Sequence, residues 1–195
     1  MVEIELPNPE ELEEKRRNSF SKKVALFTAI YAVILAICAL GGNNSMKEML
    51  LAQQEASNQW AYYQAKNNRE YLYRIEKDRL ETQLVERGDT MKPAALKHYK
   101  AQIQKASAEE ARLAKDKQEI VVEAKKQEQE RDVNRAKDPY FDFGEALLQI
   151  AIVMSSVSII ANSRRVFVFS IVAAVLGSLI TLNGFLLLIK VPFLH

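Results

Sequence analysis

Cysteine, histidine, glycine and charge of one sign are all scarce here, and each shortage rules something out. The single cysteine, Cys38, lies inside an apolar run, so one chain offers neither a disulfide framework nor a cysteine-built metal site. The two histidines, His98 and His195, are almost a hundred residues apart and neither has a second histidine one helical turn away. No histidine metal site is readable from that spacing, and His98 reads as a solvated side chain. There is no glycine-rich phosphate loop, no Gly-x-Ser-x-Gly turn and no Cys–His pair. Net charge is only +2, and between Gly42 and Glu145 there are 19 Lys+Arg against 19 Asp+Glu. Such interleaved charge describes a solvated helix face and excludes a nucleic-acid patch. The carboxylates alternate with lysine and arginine, so no catalytic, cofactor-binding or metal residue is assigned, and no enzymatic activity is expected.

What the chain does have is segregated. Hydrophobic residues make up 48% of it, gathered into three blocks. A short tail over 1–23 begins with Asn8-Pro9-Glu10-Glu11, a helix-start signature, and ends in Lys15, Arg16, Arg17, Lys22 and Lys23. The first block, 24–42, has the roughly 20 apolar residues that cross a bilayer. A cleaved signal peptide would share the basic flank and the apolar run. Leu35-Ala36-Ile37-Cys38 lacks the small residue a lipoprotein needs before its cysteine, and a retained span is the reading preferred here. The second and third spans are expected over 144–163 and 166–190, joined by a tight basic turn at Arg164-Arg165 and closed by Lys190 and Pro192.

Between the first two spans, 45–137 reads as a long helical hairpin. Neither 45–87 nor 94–137 contains glycine or proline, and both are rich in strong helix formers. Arg87 to Pro93 supplies the turn, with Gly88 suited to a left-handed cap and Pro93 to the first turn of a new helix. Gly41-Gly42-Asn43-Asn44 reads as an exit turn, Ser45-x-x-Glu48 as a capping box, and Asp138-Pro139 as the end of the return arm. Tyr140, Phe141 and Phe143 then suit a membrane-interface belt, and Asp142-x-x-Glu145 a second cap. Along the return arm, Leu96, Tyr99, Ile103, Ala106, Leu113, Ile120 and Ala124 follow a heptad interrupted at Glu110 and Lys117. On the outgoing arm, Ala61, Ala65, Leu72 and Ile75 share one face. A seam so rich in alanine predicts that the hairpin needs neighbouring copies.

Lysine and arginine bias sets the orientation. Lys22 and Lys23 before the first span and Arg164 and Arg165 between the other two are the topology anchors, placed in the cytoplasm with the N-terminus. The hairpin is then outside, although Arg131, Arg135 and Lys137 favour the reverse. Thr28, Ala32 and Ala36 on the first span, and Ala173, Gly177 and Thr181 on the third, recur at the spacing that lets transmembrane helices pack closely. Ser155, Ser156, Ser158 and Asn183 are polar groups inside spans, but the central parts carry no ionisable residue. That argues against a charged relay and leaves a passive pore open.

The most distinctive stretch is Gln59-Trp60-Ala61-Tyr62-Tyr63-Gln64-Ala65-Lys66, followed by Tyr71 and Tyr73. Trp60 lies about 20 residues past the first span, roughly 25–30 Å along a helix, too far for an interfacial belt. These aromatics are candidates to stitch the arms together, to contact another subunit or protein, or to form a ligand site. The stretch resembles the hallmark of a bacterial family of uncharacterised membrane proteins, domain of unknown function 4337. The resemblance extends along the whole chain: one early span, a charged helical middle and two late spans. It implies a bacterial inner-membrane location and supplies no activity or site residues.

The expectation is therefore an all-α integral membrane protein with three transmembrane helices and a long antiparallel, coiled-coil-like hairpin between the first and second. Its expected partners are the lipid bilayer and further copies of itself, with other membrane or periplasmic proteins as further candidates; no cofactor and no nucleic acid are expected. A structural or scaffolding role is the leading expectation. The alternative is a subunit of an oligomeric channel or transport complex, with Ser155, Ser158, Thr181 and Asn183 lining a passage.

Overall fold

The computed structural model describes residues 9–189. Three α-helices account for nearly all of them: α1 (Pro9–Arg87), α2 (Pro93–Ile160) and α3 (Arg164–Leu186). No strand occurs among the described residues. Each of the three helices contains a stretch long and apolar enough to cross a membrane. The chain divides into two compact units, one of residues up to Glu48 together with those from Val133 onward, the other Met49–Asp132.

Several expected breaks are not breaks. α1 passes through Gly41-Gly42-Asn43-Asn44 and Ser45 without interruption, so there is no exit turn and no capping box. The glycines serve close packing instead. A Cβ on Gly41 would stand 2.5 Å from Phe141 Cε1 and 2.7 Å from Phe185 Cζ, and one on Gly42 would stand 3.2 Å from Phe141 Cβ. α2 likewise continues through Pro139, so Asp138-Pro139 is not a terminus and Asp142 and Glu145 cap nothing. Proline removes one helical hydrogen bond at a cost of about 3 kcal/mol. Burial directly after it opposes that cost, because Tyr140 and Phe141 are among the most buried side chains of the first unit.

That burial also revises the expected interface belt, since only Phe143 faces outward. Phe141 meets the Phe185 ring edge-on at 4.9 Å. The Tyr140 hydroxyl donates to the carbonyl of Ile189 at 3.1 Å. The core of this unit gathers Tyr31, Cys38, Phe141, Leu148, Ala151, Ala173 and Ala174 from all three helices.

Among the described residues, two non-glycine positions take positive φ, Asn162 and Leu187. Between α2 and α3 the chain reverses over Ala161–Ser163, with Asn162 at φ 45°; asparagine tolerates this left-handed region better than most residues. Arg164 and Arg165 are thus the first residues of α3 rather than the turn itself. At the other end Leu187 adopts φ 48° and closes on the carbonyl of Asn183 at 2.7 Å. The Asn183 amide clasps Ile189, donating to its carbonyl at 2.8 Å and accepting from its N–H at 3.0 Å. Gly88 does not take the left-handed conformation expected of it. It opens a 3-10 turn, Gly88–Thr90, closed by Met91 N–H on the Gly88 carbonyl at 3.3 Å, and Pro93 begins α2 as expected. Asn8, Lys190, Pro192 and His195 lie outside the described residues.

Candidate interaction surfaces

In the second unit, α1 and α2 touch through a ladder of polar pairs. Arg131 donates to Gln53 at 3.0 Å, Trp60 Nε1 to Glu128 at 2.9 Å and Lys66 to Asp116 at 2.7 Å. Further along, Lys117 donates to Asn67 at 2.7 Å and pairs with Glu70. Glu110 receives Arg74 at 2.9 Å and Lys77 at 2.7 Å. Partner numbers fall on α2 as they rise on α1, so the two segments are antiparallel within this unit.

Buried and half-buried positions on α1 recur at alternating steps of four and three: Met49, Ala52, Ala56, Gln59, Tyr63, Lys66, Glu70, Tyr73, Lys77, Leu80 and Leu84. Those on α2 follow the heptad read from the sequence, from Leu96 to Ala124, with Glu110 and Lys117 as full members rather than interruptions. The stripe expected to face the partner helix, Ala61, Ala65, Leu72 and Ile75, is exposed on the far side of α1. Lys66, Glu70 and Lys77 hold inner-face positions because each meets an opposite charge from α2.

The pairing shifts protonation in both directions. Hydrogen bonds from Lys77 and then Arg74 hold the Glu110 carboxyl below its ordinary value of 4.5. A hydrogen bond from Lys66 holds Asp116 below 3.8. The same contacts raise Lys66 and Lys77 above 10.5. A carboxyl with a depressed folded value contributes stability that is complete above its unfolded value and lost as the pH falls through the folded one. Thermal melts followed by circular dichroism are therefore expected to hold steady from pH 7 to about 4.5 and then fall. Glu110→Gln is expected to flatten that fall; an equally steep fall in the variant would locate its cause elsewhere.

The aromatic candidates separate into two sets. Trp60, Tyr63 and Tyr73 are half-buried, with the Trp60 and Tyr63 rings edge-on at 5.7 Å and Lys117 Nζ 5.4 Å from the centre of Tyr63. Trp60, through Glu128, and Tyr63, under Lys117, join the two helices. Tyr62 and Tyr71 are exposed, Tyr62 carrying Lys66 Nζ 5.3 Å from its ring centre.

The small-residue stripes of the first unit also differ in use. Ala173, Gly177 and Thr181 are buried. A Cβ on Gly177 would fall 3.0 Å from the carbonyl oxygen of Gly144 and 3.1 Å from Leu148. The Thr181 hydroxyl lies 3.2 Å from Cys38 Sγ, and that thiol donates to the Phe141 carbonyl at 3.3 Å. By contrast, Ala32 and Ala36 are exposed, and Thr28 is half-buried with its hydroxyl on the Val24 carbonyl at 2.9 Å. Ser155, Ser158 and Thr181 are enclosed within the one chain: Ser155 donates to Ser170 at 3.1 Å and Ser158 to the Ser155 carbonyl at 2.7 Å. The topology anchors Lys22, Lys23, Arg164 and Arg165 are exposed. Phe20 packs edge-on against Phe167 at 5.8 Å, which brings the two basic clusters to one end of this unit.

Residues 20–187 match the domain of unknown function DUF4337. The chain belongs to this family. In this DUF4337 protein the match takes in all three apolar segments, the polar ladder and the Trp60 stretch. No curated protein and no solved structure matches it. Among its functional candidates, sequence reasoning missed the inward Lys66, Glu70 and Lys77. Their signal is a spacing of four and seven residues between charges opposite to those on α2.

Proposed function

We propose that this protein is a non-enzymatic scaffold of the bacterial inner membrane. In this reading its three apolar segments cross the bilayer, and α1 and α2 form a hairpin on the periplasmic side. Copies associate through the hairpin and the spans. The observation that carries the proposal is the thin interior of the second unit: of the six buried apolar residues in it, Ala52, Ala56, Ala106 and Ala124 are alanine, beside Leu113 and Ile120. A buried alanine removes little apolar area from water, so two such helices gain from further helices alongside. The exposed Ala32 and Ala36 on the first apolar segment offer backbone approach to a neighbour. A passage lined by Ser155, Ser158 and Thr181 is disfavoured, since each already bonds inside its own bundle.

The test uses Gly88→Cys in the full chain, with the buried Cys38 left in place. A membrane-impermeant maleimide is expected to label Cys at position 88 in cells with a permeabilised outer membrane, and mass photometry in lipid nanodiscs is expected to find an oligomer. Labelling only after lysis would overturn the orientation, and a monomer would overturn the scaffold.

A further inference from the structure

The back of α1 carries large apolar side chains with nothing from the chain against them: Leu72 is 65% and Ile75 46% exposed. They sit on the helix face opposite the one that meets α2. The cross-helix pairs of Arg74 and Lys77 with Glu110, and of Lys66 with Asp116, show which part of α2 is level with them. At that level α2 presents small uncharged residues. Ser107, Ala108 and Ala111 line a groove beside α1 that Glu81 and Lys100 flank, and Ala114 lines a second one beside Tyr63. Large residues project from one side of the unit where a shallow alanine trough opens on another.

The charges that stay unpaired inside the unit match the same arrangement. Arg79 pairs with Glu76 and Arg112 with Glu109 within their own helices. What remains along 78–86 of α1 is acidic, namely Asp78, Glu81 and Glu86, and what remains along 97–115 of α2 is basic, namely Lys97, Lys100, Lys105 and Lys115. No ion pair among the described residues involves any of these seven.

We infer that the back of α1, through Leu72 and Ile75, docks along Ala108, Ala111 and Ala114 on α2 of a second copy of this chain. This rests on the membrane-anchored self-association proposed above. Copies held in one bilayer share one orientation, and within the second unit Leu72 and Ile75 are level with Ala111 and Ala114. The acidic stretch of α1 then approaches the lysines of the neighbouring α2, and charge and shape select the same mate. Because the two surfaces differ, the contact is head-to-tail rather than two-fold.

Ile75→Cys with one affinity tag and Ala111→Cys with another, co-expressed and oxidised in native membranes, test this directly. A mixed-tag dimer at least several-fold stronger than either same-tag dimer is the expected result, with the wild type, carrying only Cys38, as the blank. A second variant, Ala111→Trp, fills the groove and is expected to lower the assembly mass in nanodiscs, while Ala111→Ser leaves it unchanged. Ile75–Ile75 dimers without mixed ones would replace the head-to-tail contact by a two-fold one. An oligomer that gives no disulfide at either position and tolerates Ala111→Trp would overturn this interface while leaving self-association intact. A wild-type monomer would overturn both.

Discussion

Replacing Gly177 by leucine is expected to prevent stable assembly of the first unit. Even a methyl group at this position would meet the Gly144 carbonyl oxygen at 3.0 Å, the Leu147 Cβ at 3.1 Å and the Leu148 Cγ at 3.1 Å. One of those neighbours is backbone, which cannot rotate aside, so α2 and α3 must separate. Overpacking of a well-filled core costs typically about 1–3 kcal/mol, and the larger leucine belongs at or above the top of that range. Separation would also strip the Thr181 and Cys38 contacts that lie beside the glycine pair. The measurement is the fraction of purified protein that stays monodisperse in mild detergent during a thermal ramp. Gly88→Leu is the control, since nothing lies within 4 Å of a Cβ there. Equal thermal behaviour of the two variants would mean that the Gly144–Gly177 approach does not hold these helices together.

The second large effect concerns Glu70 and Lys117. Their side chains are only 8% and 14% exposed, the least accessible ion pair among the described residues. Lys117→Ala removes the partner of Glu70, the donor to Asn67 and the cation over Tyr63. Breaking a fully buried pair costs about 3–5 kcal/mol, and Arg74 remains to hold Glu70, so about 2 kcal/mol is expected here. The double change Glu70→Leu with Lys117→Leu is expected to recover most of that loss, because no uncompensated charge is left and the seam gains apolar contact. A double-mutant cycle on thermal stability reads the coupling. Additive losses, with the double variant as unstable as the sum of its parts, would show that the two side chains do not act on each other.

Fold class and the number of apolar segments were legible because composition alone separates runs without charge from runs of helix formers. The α2 heptad was legible as well, since most of its inward residues are apolar. α1 was misread in its outer half for a definite reason. Hydrophobic periodicity points to Ala61, Ala65, Leu72 and Ile75, whereas the helix turns Lys66, Glu70 and Lys77 inward to meet charges 33 to 50 residues away in sequence. Gly41, Gly42 and Pro139 were read as punctuation. In the structure the two glycines are room for an aromatic ring, and the proline is carried by the burial of its neighbours. Local propensity cannot distinguish these cases, because what decides them is the helix packed alongside.

The inward charges of the second unit carry a consequence for misalignment. Sliding α2 by seven residues in one direction would set Lys77 opposite Lys117 and leave Glu70 beside Ala124. Sliding it the other way would set Glu70 against Glu110 and leave Lys77 facing Ile103. Each slip preserves the heptad spacing, so an oily seam would accept either, but both bring like charges together in a place with little water to screen them. The mixed composition of this interface therefore favours the observed alignment over either seven-residue slip.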